Sequence, residues 1–326
     1  MMNPAKILVT GGAGFIGSHL AETLLNQGHT VIVLDNFSTG KRENLASFQN
    51  HPKFTLIEGD IRDLPTCRRA VEGVDYVLHE AALGSVPRSI KDPLTSLEVN
   101  IMGFARLLTA ARDAGVRRFV YASSSSVYGS DNAPVKTEDC TGMPLSPYAV
   151  TKHTDELIAL NFAALYRMET IGLRYFNVFG PRQDPNGAYA AVIPKFVQAI
   201  RKHEPPVIFG DGANSRDFTF VENVVSANLL ALSADSRAVN QVYNIACGAS
   251  TTLNELFSLL RSAIAQDDPA AAEVEAVHAE PRTGDIAHSL ADISRAREML
   301  GYQPRWTVQE GIRQLIASSM SQKITQ

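Results

Sequence analysis

Tyr148 and Lys152 stand four residues apart behind Ser146 and Pro147, a pair that suits the opening turn of a helix. On a helix that spacing puts both side chains on one face. In water a tyrosine keeps its proton to about pH 10, so a tyrosine base near neutrality needs its phenolate stabilised by roughly 3 kcal/mol. A neighbouring ammonium supplies charge of the right sign. Ser124 lies 24 residues before Tyr148, in the run Ser123-Ser124-Ser125-Ser126-Val127-Tyr128-Gly129 that ends an apolar stretch. There a hydroxyl can bond a substrate oxygen that loses its proton. The chemistry these three side chains suit is removal and return of a proton at a hydroxyl-bearing carbon. Taken alone, such serines are more often a loop, and such a tyrosine and lysine an exposed helix surface.

A second pattern gives the three a context. The run Lys6 to Thr10 continues as Gly11-Gly12-Ala13-Gly14-Phe15-Ile16-Gly17 into a helical stretch. Gly11 permits a tight turn, Gly14 lets a pyrophosphate approach the backbone, and Gly17 lets helix pack on strand, while the helix N-terminus favours phosphate charge. Another apolar run ends in Asp35, 18 residues after Gly17. A carboxylate there accepts both hydroxyls of an adenosine ribose and repels a 2′-phosphate, so NAD is favoured over NADP. Lys41 and Arg42 follow it in a solvated loop. Two more runs end in Gly59-Asp60-Ile61 and His79-Glu80-Ala81-Ala82. Strand ends are where an open parallel sheet receives its ligand. Asp60 either bonds the adenine amino group beside Ile61 or caps a helix, and Ala81 and Ala82 are small enough for the cofactor to pass close by.

The elements that must position these residues follow from alternation. Short apolar runs at 6–10, 30–35, 54–57, 76–79, 118–122 and 170–174 alternate with stretches at 16–26, 94–114 and 147–166 in which apolar residues recur three or four apart. That order predicts an α/β protein with a doubly wound parallel sheet. Residues 1–180 are expected to form the NAD-binding domain, with some later segments returning to it. Prolines punctuate the remainder, and residues 181–326 are expected to form a smaller α/β substrate lobe. The segment 266–276 reads as a surface connection or helix end, and 321–326 as a frayed end. Thirty basic against thirty-four acidic residues leave a net charge of −4, which gives no field to attract nucleic acid or an anionic membrane. No run of about 18 apolar residues spans a bilayer, and no basic and apolar leader precedes the first strand. Cys67, Cys140 and Cys247 are odd in number and in no metal-ligand spacing, so no metal is expected and the chain is read as cytoplasmic.

Through the glycine motif, the serine run, Tyr148 with Lys152, Leu173-Arg174-Tyr175-Phe176-Asn177 and Arg216-Asp217-Phe218, the chain resembles the extended short-chain dehydrogenases/reductases of the nucleotide-sugar epimerase and dehydratase family. The resemblance covers essentially the whole length. It implies that Ser124, Tyr148 and Lys152 are the catalytic triad and that Asn36, Ser38, Thr39, Gly40, Asn100, Tyr175 and Val178 lie by the cofactor, with Phe15 and Ile16 of the glycine turn. It also implies diphosphate and ribose contacts from Arg216, Arg282 and Asp285, a phosphate contact from Asn177, and walls around uracil from Ala191, Val192, Val207 and Phe209. The arginine fork suits a diphosphate.

Within that family the dehydratases carry an acidic pair directly after the position of Ser124. Here those places are held by Ser125 and Ser126, which are poor proton donors to a leaving hydroxyl, so they are read as substrate contacts. Decarboxylases of the family tend to have glutamate at the place of Ser126. The segments 82–89 and 184–191 resemble bacterial UDP-N-acetylglucosamine 4-epimerases, which implies that Ser85 and Arg88 line the sugar pocket, with Arg88 alternatively stabilising its own loop. Ser289 falls where strict galactose epimerases place a tyrosine, leaving room for an acetamido group. Gly84 replaces a lysine common beside the nicotinamide, which weakens cofactor retention. The expected activity is NAD-dependent 4-epimerisation of UDP-GlcNAc and UDP-GalNAc, and of UDP-glucose and UDP-galactose as further substrates. A UDP-glucuronate or UDP-N-acetylhexosaminuronate 4-epimerase is the alternative; a dehydratase, a decarboxylase and a non-catalytic NAD binder remain behind it. Apolar residues on more than one face of 94–114 and 147–166 fit either a buried core or the helical homodimer interface common in the family.

Overall fold

Runs rich in valine, isoleucine and leucine become strands when both their faces are covered. Seven of them form one all-parallel sheet, in the order Gln241–Ile245, Glu169–Tyr175, Arg118–Ser124, Tyr76–His79, Lys6–Thr10, Thr30–Asp35 and Phe54–Glu58. The computed structural model describes residues 2–184, 191–281 and 288–324, with side chains through Ser318. The sheet is doubly wound, as expected. Its order reverses between Lys6–Thr10 and Tyr76–His79, so the ends of these two strands flank a crevice. Six strands stand where the alternation predicts them. The seventh, Gln241–Ile245, pairs with Glu169–Tyr175 in register from Gln241 with Ile171 to Ile245 with Tyr175.

Helices cover both faces. On one side Leu20 and Leu24 of Phe15–Asn26 pack with Val224 and Ala227 of Val221–Ser233. On the other, Phe104, Leu107 and Leu108 of Gly103–Asp113 pack with Ala159 of Pro147–Tyr166. The stretch expected to be one helix from Leu94 is built in three parts: Pro93–Leu97, a π-turn at Glu98–Met102, and Gly103–Asp113. A π-turn adds a residue to the helical path and re-aims side chains, and such turns are frequent at functional sites.

A third apolar cluster joins Phe179, Phe196, Phe218, Phe220, Leu256 and Ile312. Around it lie short strands, including Ser215–Arg216 between Thr251–Thr252 and His288–Ala291, and Val207–Phe209 beside Val277–Ala279. The alanine-rich segment supplies only the 3-10 turn Pro269–Glu273. The final helix, Val308–Ile324, continues past Ser321, where fraying was expected. Among the described residues no helix is long and apolar enough to cross a membrane.

Candidate active site

The crevice at the switch point opens into a cavity of about 410 Å³. Its floor is the glycine turn. A Cβ on Gly11, whose φ is +65°, would come within 2.7 Å of the Ala81 nitrogen, and one on Gly17 within 2.3 Å of the Gly11 oxygen. Only a chain without side chains closes that turn, and its amides then line the cavity. At one end stands Asp35, whose carboxylate accepts the amides of Ala13 at 2.9 Å and Phe37 at 2.8 Å. Burial pushes its carboxyl up and those two amides work against the shift. Asp60 lies beside it. The Arg62 side chain holds the Asp60 carboxyl down at about 2, with Asn36 assisting. Asp60 is not a helix cap: Asp63 takes that place by accepting the Thr66 amide at 2.9 Å.

At the other end Ser124, Tyr148 and Lys152 face the same cavity. Ser146 caps the helix of Tyr148 by accepting the Ala149 amide at 3.1 Å. Lys152 is 2% exposed and donates to the Ala122 carbonyl at 2.8 Å, while Asp155, wholly buried, lies 3.4 Å from its ammonium. Burial pushes the Asp155 carboxyl up, against the pull of Lys152. Ser124 Oγ accepts the Ser126 amide at 3.1 Å, which folds the serine run into the 3-10 turn Ser125–Tyr128. Ser126 Oγ is buried without a hydrogen-bond partner among the described residues. The arrangement sets a phenol and an ammonium beside a hydroxyl, at the end of a groove whose floor suits a pyrophosphate.

All the expected cofactor residues line this cavity except Gly40 and Asn100. Gly40 sits behind Asp35, where a Cβ would approach the carboxylate to 2.9 Å. Asn100 is turned inward by the π-turn: its Oδ1 accepts the Leu83 amide at 2.8 Å and its Nδ2 donates to Thr151 Oγ1 at 3.0 Å. It thereby ties the loop after Tyr76–His79 to the helix of Tyr148.

Of the expected substrate residues, Ser124 and Asn177 line the cavity. Asn177, at φ +37°, donates to the Asp217 carbonyl at 3.0 Å. Ser85 caps the short helix Val86–Lys91 by accepting the Arg88 amide at 3.2 Å, so this part of the loop is stabilised by Ser85 and the backbone of Arg88. Arg216 and Ser289 are register partners on adjacent strands. Val207 and Phe209 form an edge strand, and Ala191 and Val192 open the helix Val192–Arg201. Arg282 and Asp285 lie outside the described residues.

A family model described as the NAD dependent epimerase/dehydratase family matches residues 7–246. The chain belongs to this family. A UDP-glucose 4-epimerase of Mycolicibacterium smegmatis is 40% identical over 309 residues, covering 94% of this chain and 96% of its own. A solved UDP-N-acetylglucosamine 4-epimerase from Methanobrevibacter ruminantium M1, in complex with UDP-N-acetylmuramic acid, superposes with a TM-score of 0.91 at 40% identity, covering 98% of this chain and all of that one. A variant of UDP-glucuronic acid 4-epimerase from Bacillus cereus, solved with a fluorinated UDP-glucuronic acid and NAD, gives 0.87 at 30% identity, covering 97% and 99%.

NAD is the cofactor of this epimerase/dehydratase family member, and the glycine floor with its flanking Asp35 fits it. Several supporting groups escape the sequence reading. Ser89 Oγ accepts the Tyr148 amide at 3.0 Å and donates to the Val86 carbonyl. Glu156 takes a two-pronged bond from Arg174, at 2.9 and 2.8 Å, and accepts the Ser123 hydroxyl. Glu80 reaches into the cavity itself. Its place between His79 and Ala81, at a strand end, was the available signal; Ser89 offered none, because its partner lies 59 residues away.

Proposed function

We propose that this protein is an NAD-dependent 4-epimerase that interconverts UDP-GlcNAc and UDP-GalNAc, with UDP-glucose and UDP-galactose as further substrates. The observation that carries the reading is the convergence of Ser124, Tyr148 and Lys152 on the cavity floored by the glycine turn. Tyr148 takes the proton of the sugar 4-hydroxyl and gives it back, while Ser124 bonds the same oxygen. Lys152, fixed by the Ala122 carbonyl, holds its ammonium against the same cavity. NAD, held by the glycine turn and Asp35, would supply the hydride acceptor and donor for that carbon. Because the sugar must turn between the two transfers, binding energy has to come from the nucleotide. We assign that task to Asn177, Arg216, Arg282 and Asp285, with Ala191, Val192, Val207 and Phe209 around uracil. Ser85, Arg88, Ser125, Ser126 and Ser289 belong to the sugar side. In this reading residues 1–180 and later returning segments hold NAD, and 181–326 mainly the nucleotide sugar.

The relative solved with UDP-N-acetylmuramic acid supports an N-acetylated sugar. A 4-epimerase of UDP-glucuronate is the second reading, supported by the Bacillus cereus relative. Incubation with each UDP-sugar and chromatographic separation of the C4 isomers decides between them. Conversion of UDP-glucuronate alone overturns the first reading, and no isomer from any sugar overturns both. Tyr148→Phe should lose at least about 100-fold in turnover with UDP-sugar affinity nearly intact; loss of binding instead removes Tyr148 from the proton step.

The same reading includes a cytoplasmic homodimer. Ile90 and Leu94 are 63% and 77% exposed, and Leu157 and Leu160 on the neighbouring helix are 56% and 43% exposed. The elements that carry them pack side by side, so the leucines and isoleucine form an apolar face that a second copy would cover.

A further inference from the structure

Glu80 brings into the cavity a carboxyl group that the proton chemistry of Ser124, Tyr148 and Lys152 does not use. Its backbone is fixed beneath the glycine turn. The Glu80 amide donates to the Thr10 carbonyl at 3.2 Å, and a Cβ on Gly11 would come within 3.0 Å of the Glu80 carbonyl carbon. Its side chain is fixed as well: Oε1 accepts the Tyr175 hydroxyl at 2.9 Å. That hydroxyl in turn accepts Asn228 Nδ2 at 2.8 Å, and Asn228 also donates to the Val224 carbonyl at 2.9 Å. Oε2 has no hydrogen-bond partner among the described residues.

The Tyr175 bond puts Glu80 on a cavity wall that Tyr148 and Lys152 also line, within the field of the Lys152 ammonium. Burial pushes the Glu80 carboxyl up to about 8, while the Tyr175 hydroxyl and the Lys152 charge pull the other way. His79, its neighbour in sequence, is held down at about 3 by burial and bonds Thr10 Oγ1, so it carries no charge near neutrality.

We propose that Glu80 sets the redox preference of the bound cofactor: as an anion fixed at the reacting end, it favours the cationic oxidised nicotinamide over the neutral reduced one. This rests on the reading of the cavity as the NAD site with its reacting end at Tyr148. The physical basis is a charge difference. Oxidised and reduced cofactor share the same pyrophosphate, so interactions with that group cancel in the ratio of their affinities. What remains is the nicotinamide charge, which a carboxylate in a partly dry site stabilises more strongly than water would. An epimerase must begin each turnover with oxidised cofactor, and ionised Glu80 favours that state over the reduced one. By linkage, binding of the oxidised form draws the proton off Glu80 and binding of the reduced form does not. The preference therefore grows as pH rises and Glu80 ionises.

Loaded protein is equilibrated with mixtures of NAD+ and NADH at about pH 6.5 and about pH 9, and the bound ratio is read by absorbance. In the wild type the preference for NAD+ should rise by about ten-fold between the two. Glu80→Gln keeps an acceptor for Tyr175 without the charge, and should show the low ratio at both. Lys152 and Tyr148 face the same end in both proteins, so the difference between wild type and variant reads Glu80. A wild-type ratio that does not change with pH overturns the proposal, as does a variant that matches the wild type at the higher pH. Should Glu80→Gln fail to fold, the comparison is made in Tyr148→Phe, which lacks the other acid facing that end, and a ratio that does not change with pH there overturns the proposal. Protein that retains neither form of the cofactor overturns the reading of the cavity, and the role of Glu80 with it; cofactor retained with an unchanged ratio overturns the role of Glu80 only.

Discussion

A methyl group on Gly17 has nowhere to go. It would meet the Gly11 oxygen at 2.3 Å and the Gly12 Cα at 2.9 Å, both backbone atoms of the turn itself. Gly17→Ala should cost about 1–3 kcal/mol in denaturant unfolding and leave purified protein with little bound NAD; a variant that keeps its NAD would show that the turn yields. Asp217 offers a second test through pH. Burial pushes its carboxyl up to about 6, although it accepts the amides of Cys247 at 2.9 Å and Gly248 at 3.0 Å. The folded protein therefore holds this proton to a higher pH than the unfolded chain does. Its stabilising contribution is complete below about pH 4 and is lost as pH climbs to about 6. Across that window the wild type should lose up to about 3 kcal/mol relative to Asp217→Asn, read by unfolding at a series of pH values. At this scale the glycine turn, Asp35 at a strand end and the Tyr148 and Lys152 spacing were legible as patterns along the sequence, and all of them line one cavity. Asp217 and Ser89 were not, because what makes them matter is a partner 30 or 59 residues away.

Among the elements, the end of the strand Arg118–Ser124 is held by a buried ion pair. Arg174 binds Glu156 with both prongs and also donates to the Tyr128 hydroxyl at 3.0 Å and the Glu138 carbonyl at 3.1 Å. Arg174→Met leaves Glu156 charged and uncompensated, which should cost about 3–5 kcal/mol in a denaturant titration. A loss below about 1 kcal/mol would show that Glu156 takes up a proton in the variant. Periodicity found six strands of the sheet and the helix Pro147–Tyr166 because their apolar residues repeat cleanly. It could not find the π-turn at Glu98–Met102, since one extra residue inside a helical path leaves the three-and-four spacing nearly intact. Nor did it find Gln241–Ile245, whose run of Val242, Tyr243 and Ile245 is short and interrupted by Asn244, a residue that is buried here because it bonds Tyr128, Lys136 and Asp292.

For the whole molecule, the apolar face formed with Leu157 and Leu160 predicts association. Leu157→Glu with Leu160→Glu should give monomers in sedimentation at concentrations where the wild type sediments as dimers, with the fold retained by circular dichroism. A wild type that sediments only as monomer removes the dimer from the proposed function. The sheet carries one more consequence. Its outermost strand, Gln241–Ile245, and the helix Val221–Ser233 that buries Leu20 and Leu24 both come late in the chain. During synthesis the emerging polypeptide must therefore wait, with the free edge of Glu169–Tyr175 and one oily side of the sheet uncovered, until well over two hundred residues have left the ribosome. Nascent chains halted near residue 180 should stick to chaperones, and those halted beyond about residue 290 should be released.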